Sequence, residues 1–333
     1  MKILVTGGAG FIGSNLILFL LSRRKDITVL NLDKLTYASD LSYLKPVEDD
    51  PRYRFVQTDL VDRHAVRAVV QEFRPDGVMH LAAESHVDNS IKGPEPFVMS
   101  NVVGTFNIAE ECRQLWLVDP NGYADKRFLH VSTDEVYGSL GKEGTFTEKT
   151  PYAPNSPYSA SKAGSDFLVR SYYKTYNMNV VTTNCSNNFG PHQHDEKLIP
   201  TVIRKALAHE PIPVYGKGEN VRDWLYVTDH CQAILSVFEK GRSGETYIVG
   251  GHNEWRNIDL VRLICDILND LTGDGPGGDY KNLITFVTDR AGHDLRYAID
   301  PTKIRTEVGW KPEMKFEEQL RETLMWYVSR YGK

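Results

Sequence analysis

Cysteine is scarce in this chain of 333 residues: Cys112, Cys185, Cys231 and Cys265 are widely spaced and make no CxxC pair. That spacing fits neither a zinc ribbon nor a disulfide framework, and reduced thiols in a cytoplasmic protein are the expectation. Long apolar runs are missing too, none reaching the ~18 residues a membrane span needs. Leu16 to Leu21 follow an early lysine as in a secretion signal. Glycines interrupt the run ahead of that block, however, and no small-x-small cleavage pattern precedes Ser22-Arg23-Arg24-Lys25, so no leader is expected. Basic charge is not in excess: the net charge is -5, which lacks the electrostatic footprint of a nucleic-acid binder. Internal repeats and low-complexity linkers are absent. His192 and His194 form an isolated H-x-H without clustered ligands, so no metal is expected.

What is present is a rhythm. KILVT, ITVLNLD, YRFVQTD, GVMHLAA and RFLHVS are short and mostly apolar without strict alternation, as strands buried on both faces are. Helical spacing fills the gaps at 14–22, 63–73 and 97–117. Repeated βαβ units predict an α/β fold, a Rossmann-type doubly wound parallel sheet. After Gly190-Pro191 helical pieces at 199–209, 228–239, 257–269, 301–308 and 316–331 mix with PIPVYG, RDWLYV, ETYIVG and LITFVT. The expectation is a dinucleotide-binding domain over 1–190, with a return segment near 224–240. A smaller C-terminal α+β lobe over 191–333 would bind substrate, with the glycine-rich stretch 272–282 as an exposed connection.

TGGAGFIG follows the first strand and opens the first helix. Gly7 and Gly10 permit a tight turn against a pyrophosphate, Gly13 permits close helix–strand packing, and the helix N-terminus supplies donors. Asp33 ends the second strand, where a carboxylate accepts from the adenosine ribose hydroxyls and repels a 2′-phosphate, favouring NAD over NADP. Lys34 works against that preference. Asp59, after the third strand, suits the adenine end. In YSASK, Tyr158 and Lys162 are four apart and share a helix face. A phenol with pKa ~10 is a poor base at neutral pH, but a nearby ammonium and a positive nicotinamide ring favour its phenolate.

The glycine motif, the Ser132-Thr133 pair and YxxxK resemble the extended short-chain dehydrogenase/reductases, which act largely on nucleotide-sugars. STDEVYG, AAESHVDNS, NCSNNFGP, EKLIP, RDWLYV and GHDLRYAID extend the resemblance over the whole chain, to the dTDP-glucose 4,6-dehydratases. That family oxidises C4 of the hexose with tightly held NAD, eliminates water across C5 and C6, and returns hydride to C6. The resemblance implies Tyr158 as base at the C4 hydroxyl, tuned by Lys162, with Thr133 on the C4 oxygen. It implies a protonated Asp134 that assists departure of the C6 hydroxyl and an ionised Glu135 that takes the C5 proton. Epimerases need no such acid pair.

The resemblance also implies a cofactor wall of Phe11, Ile12, Lys34, Leu35, Thr36, Leu60, Leu81, Ala82, Ala83, Ser85, Ser100 and Asn188. For the substrate it implies Ser85, Asn187, Lys197, Leu198, Pro213, Val214, Tyr215, Arg222 and Asn257. His293, Asp294, Leu295, Arg296 and Tyr297 would close over the nucleotide. Two departures bear on nucleotide grip: His192-Gln193-His194-Asp195 stands where the family has aromatic and proline residues, and Leu295 where it usually has arginine. A homodimer through the helices near 97–117 and 158–176 is expected, in the cytoplasm, without nucleic-acid or membrane partners. The same reaction on UDP-glucose or GDP-mannose, a 4-epimerase and a non-catalytic NAD-binding regulator remain as alternatives.

Overall fold

The computed structural model describes residues 1–275, 277–289 and 292–331. Pro276 of the glycine-rich connection and the last two residues of the expected lobe lie outside them. The N-terminal part alternates as its pattern requires: β1 (Lys2–Thr6), α1 (Phe11–Arg23), β2 (Thr28–Asp33), β3 (Tyr53–Gln57), α2 (Arg63–Phe73) and β4 (Gly77–His80). Two short helices, α3 (Val87–Lys92) and α4 (Glu95–Phe97), lead through a π-helical stretch (Val98–Val103) into α5 (Gly104–Leu117). β5 (Arg127–Thr133), α6 (Pro157–Tyr176), β6 (Val180–Cys185) and β7 (Asn187–Phe189) follow. The remainder comprises α7 (Leu198–Leu207), β8 (Ile212–Tyr215), β9 (Val221–Tyr226), α8 (Val227–Lys240), β10 (Thr246–Val249) and β11 (Glu254–Arg256). It ends with α9 (Asn257–Thr272), β12 (Ile284–Val287) and α10 (Phe316–Tyr331).

Among the described residues seven parallel strands form the main sheet in the order β10-β6-β5-β4-β1-β2-β3. The sheet is the doubly wound one that the pattern predicts. Apart from β3, an edge strand whose residues are half-buried or exposed, its apolar strands are buried on both faces because a core lies on each side. Leu16, Ile17 and Leu20 of α1 and Ile234 and Val237 of α8 cover one face. Val66 and Val70 of α2, Ile108 of α5 and Val169 of α6 cover the other.

Two strands of this sheet depart from the sequence reading. β6, VVTTNC, is polar enough to escape notice, yet all six residues are buried. β10 is the ETYIVG stretch grouped with the second lobe; it forms the sheet's edge beside β6. α8 packs on α1 and β6, whereas β9 pairs with β7 and β11 in a separate three-stranded sheet. β12 and β8 pair in a third, two-stranded sheet. α7, α9 and α10 enclose the core of this lobe through Ile199, Ile264 and Leu324. The chain order reverses direction between β1 and β4, and ligands of such sheets sit at that switch point, outside the carboxyl ends of the strands.

Candidate active site

A cavity of about 300 Å³ opens at that switch point. The turn after β1 forms one wall. Gly7 has a left-handed φ of +72°, and a Cβ on Gly13 would lie 2.1 Å from the Gly7 carbonyl oxygen, so both positions need glycine. Gly10 caps α1 without a side-chain hydrogen bond, which leaves first-turn N–H groups for a ligand. Asp33 is buried at the end of β2, and its carboxylate accepts from Ala9 N at 3.0 Å, Leu35 N at 2.8 Å and Ser39 Oγ at 3.2 Å. The acid therefore braces the glycine turn as well as lining the cavity. Lys34 reaches Glu84 at 3.4 Å and Asp59 at 3.9 Å. With two carboxylates on one ammonium, the rim discourages a further phosphate. A Cβ-free cradle, an uncapped helix start and a carboxylate at the ribose end fit a dinucleotide lacking a 2′-phosphate.

β5 delivers the acid pair. Its last residue, Thr133, caps a short 3-10 turn (Asp134–Tyr137), its Oγ1 accepting from Glu135 N at 3.3 Å. Asp134 is 1% exposed, and its Oδ2 has no hydrogen-bond partner among the described residues. Burial first, then the neighbouring Glu135 and Asp223, push its carboxyl well above the ordinary value, with Arg222 and Thr133 opposing. Glu135 is only half-buried and lines both this cavity and the next. Adjacent acids thus occupy unlike environments, the condition for opposite protonation states.

α6 brings the tyrosine and lysine. Ser156 and Ser159 form a capping box and Pro157 starts the helix, so Tyr158 lies in the first turn and Lys162 one turn on. Tyr158 is 8% exposed, and burial, then Glu135, raise its phenol well above the ordinary value; Thr133 pulls the other way. Lys162 is 4% exposed, and burial lowers its ammonium, with Asp166 opposing. Lys162 Nζ donates to Val131 O at 2.8 Å. The expectation that Lys162 eases Tyr158 toward phenolate is thus outweighed in the protein alone by desolvation.

A second cavity, of about 260 Å³, continues from the first through Ser85, Glu135, Asn187, Asn188 and Lys197. The two lobes meet around it: Lys197 Nζ donates to Ser85 O at 3.0 Å and the Tyr215 hydroxyl to Asp88 Oδ2 at 3.2 Å. Arg222 is 5% exposed, lies 4.2 Å over the Tyr297 ring, and donates to the carbonyls of Val221 at 2.8 Å and Asp294 at 2.9 Å. Its burial on the cavity wall sets aside the reading of Arg222 as a surface ion-pair partner.

The chain matches the family model described as GDP-mannose 4,6 dehydratase over residues 4–323. A dTDP-glucose 4,6-dehydratase of Xanthomonas campestris is 54% identical over 98% of this chain and 93% of its own length. That of Escherichia coli is 50% identical over 99% and 94%. A crystal structure of the Streptomyces venezuelae dTDP-glucose 4,6-dehydratase with NAD and dTDP bound superimposes with a TM-score of 0.91 at 43% identity, covering 100% of this chain and 98% of that one. The chain belongs to the dTDP-glucose 4,6-dehydratases, within the GDP-mannose 4,6 dehydratase family.

Of the residues that membership in the dehydratase family pointed to, most line the two cavities, and four do not. Leu35 adopts a left-handed backbone (φ +61°) that turns its N–H onto Asp33 and takes its side chain off the wall. The Asp294 carboxylate is engaged by Asn155 at 2.7 Å and by the Tyr297 hydroxyl at 2.5 Å. Leu295 is exposed, and Arg296 turns away to Glu254 and the Gly144 carbonyl, both at 2.8 Å. His293 and Tyr297 of the same segment do line the second cavity.

The family departure at 192–195 shapes the first cavity. His192 stacks on Tyr43 at 4.1 Å and meets Ser14 Oγ at 2.9 Å, while Gln193, His194 and Glu196 join the wall. Gln193, Glu196, Asp88 and Trp224 were not foreseen as lining residues; Gln193 lies between recognised motifs, and the other three stand inside EKLIP, AAESHVDNS and RDWLYV, where other residues were singled out.

Proposed function

We propose that this protein is an NAD-dependent hydro-lyase that converts dTDP-glucose to dTDP-4-keto-6-deoxyglucose and water. The observation that carries this reading is the unequal acid pair at the junction of the cavities, Asp134 sealed and held neutral, Glu135 open to both. NAD⁺ held by the glycine turn and the Asp33 end supplies the hydride acceptor for C4 and the hydride donor for C6. Tyr158 takes the proton of the C4 hydroxyl while Thr133 holds the oxygen. Because burial keeps the phenol protonated in the protein alone, its ionisation is coupled to the positive charge of the loaded site. The C4 ketone acidifies C5–H, and Glu135 takes that proton. Asp134 gives its proton to the C6 hydroxyl, which leaves as water. Glu135, open to both cavities, exchanges that proton with solvent and returns one to C5, and the proton gained by Tyr158 replaces the one lost from Asp134, so the site is restored.

Arg222 grips the diphosphate, and Lys197, Tyr215 and Asn257 the nucleoside. Residues 1–190, with α8 and β10 as the return in place of the expected 224–240, make the dinucleotide part. Exposed Val98, Met99, Leu117, Val118, Phe167 and Tyr176 on the two long helical segments support a homodimer. A cytoplasmic location completes the reading; among the described residues no helix is long and apolar enough to cross a membrane. Incubation with dTDP-, UDP- and GDP-hexoses tests it: a 4-keto-6-deoxy product, read by its absorbance in alkali, forms fastest from dTDP-glucose. No product from any of them refutes the assignment.

A further inference from the structure

β5 ends in the residues that carry the chemistry, and side chains from two neighbours hold its last carbonyls. Lys162 takes that of Val131 at 2.8 Å, and Asn184 Nδ2 of β6 takes that of Thr133 at 3.1 Å. The same amide donates to Asp166 Oδ2 at 3.1 Å. Asp166 follows Lys162 by four residues and Tyr158 by eight, so the three lie along one face of α6. Its side chain is 4% exposed and also accepts from the Tyr152 hydroxyl at 2.9 Å and meets His130 Nε2 at 3.0 Å. The His130 Nδ1 has no partner among the described residues, so a neutral ring carries its proton on Nε2, toward Asp166. Burying an acid beneath a reactive strand is a weak source of stability, because desolvation offsets much of what its hydrogen bonds return. Its geometry points to placement instead.

We infer that Asp166 is a positioning residue for the reaction: through Asn184 it fixes the end of β5 that presents Thr133, Asp134 and Glu135, and along α6 it faces Lys162 beneath Tyr158. The inference rests on the dehydratase reading. The ionisable groups set around Lys162 are Tyr158 and Asp166 on its own helix, Cys185 on β6, His130 on β5 and His80 on β4. Burial holds the two imidazoles down and pushes the Cys185 thiol up to about 12, so all three are neutral near pH 7. Of these neighbours, Asp166 is the one whose charge favours the ammonium.

Asp166→Asn keeps the shape, removes the charge and leaves one acceptor oxygen for three donors. Steady-state turnover of dTDP-glucose by the full chain then shows kcat down on the order of 100-fold, as for a misplacement of about 1 Å, with KM unchanged. The alkaline limb of the kcat profile moves to lower pH, because Lys162 loses the group favouring its charge. Tyr152→Phe removes one donor and keeps the acid, and its alkaline limb stays in place. A purely structural role would lower the folded fraction without moving that limb, and this outcome overturns the inference. Should Asp166→Asn fail to fold, Asn184→Ala keeps the acid and cuts its link to Thr133. It must reproduce the kcat loss at unchanged KM, and wild-type kcat there overturns the inference. Wild-type enzyme is assayed alongside: no turnover refutes the dehydratase reading itself, whereas turnover with unaffected variants refutes only the role of Asp166.

Discussion

Replacing Asp134 by asparagine stabilises the protein at neutral pH while slowing its elimination of water. The Asp134 carboxyl is held well above its ordinary 3.8 by burial, Glu135 and Asp223. Below that pH both folded and unfolded chains carry the proton, and the site costs nothing on this account. As the pH rises, the unfolded chain releases the proton first, so unfolding gains until the folded pKa is passed. Inside that window the protein loses about 1.4 kcal/mol per pH unit from this group. Asparagine has nearly the same volume and does not titrate. The orphaned Oδ2 position holds one unpaired O–H in the acid and an NH2 with two N–H donors in the amide, an offset that does not change with pH and so leaves the pH-dependent difference intact. Urea unfolding of both proteins from about pH 4 to about pH 8 measures the difference, which grows in favour of Asp134→Asn with rising pH for as long as the folded carboxyl keeps its proton. The same variant binds dTDP-glucose and oxidises C4 but releases 4-keto-6-deoxy product slowly. A stability difference that stays flat across the range would show that Asp134 is not the group kept neutral.

Glu135→Gln leaves the C4 step intact and removes the C5 base, so mixing with dTDP-glucose builds up the absorbance of reduced nicotinamide while product formation stalls; product at the wild-type rate would dismiss Glu135 as that base. Gly13→Ala forces a Cβ to within 2.1 Å of the Gly7 carbonyl, and the backbone must shift. The expected cost is about 1–3 kcal/mol of stability, with loss of NAD retained through gel filtration; full retention would contradict the cradle. Arg222→Lys gives up the planar guanidinium and its stacking on Tyr297. Titration with dTDP should show affinity weakened at least about tenfold, from a charge-assisted hydrogen bond worth roughly 1.5–3 kcal/mol; unchanged affinity would place the diphosphate elsewhere.

Local motifs were legible because their partners are adjacent in sequence. The glycine turn, its strand and its helix form one unit, and the capping serines of α6 set Tyr158 and Lys162 a turn apart. β6 was not legible, because its burial of Thr182, Thr183 and Asn184 makes sense only with distant partners, Asn184 holding Thr133 and Asp166. Lys34 was ambiguous for the same reason: one of the acids that engage it, Glu84, arrives on the loop after β4. Arg296 carries the right charge for a nucleotide site, but its register against β9 points it to Glu254. Asp166 belongs to no motif, and only the packing of α6 on β5 and β6 reveals what it holds.

The central claim is elimination across C5 and C6 with return of the same hydride, and isotopes follow it directly. dTDP-glucose carrying deuterium at C4 is turned over in ordinary water, and unlabelled substrate in deuterium oxide, with the products read by NMR. The account predicts the C4 label at C6 in the first product and one solvent deuterium at C5 in the second, placed there by Glu135. A label that comes back to C4, with no solvent deuterium at C5, would mean oxidation and return without loss of water, and would contradict the account.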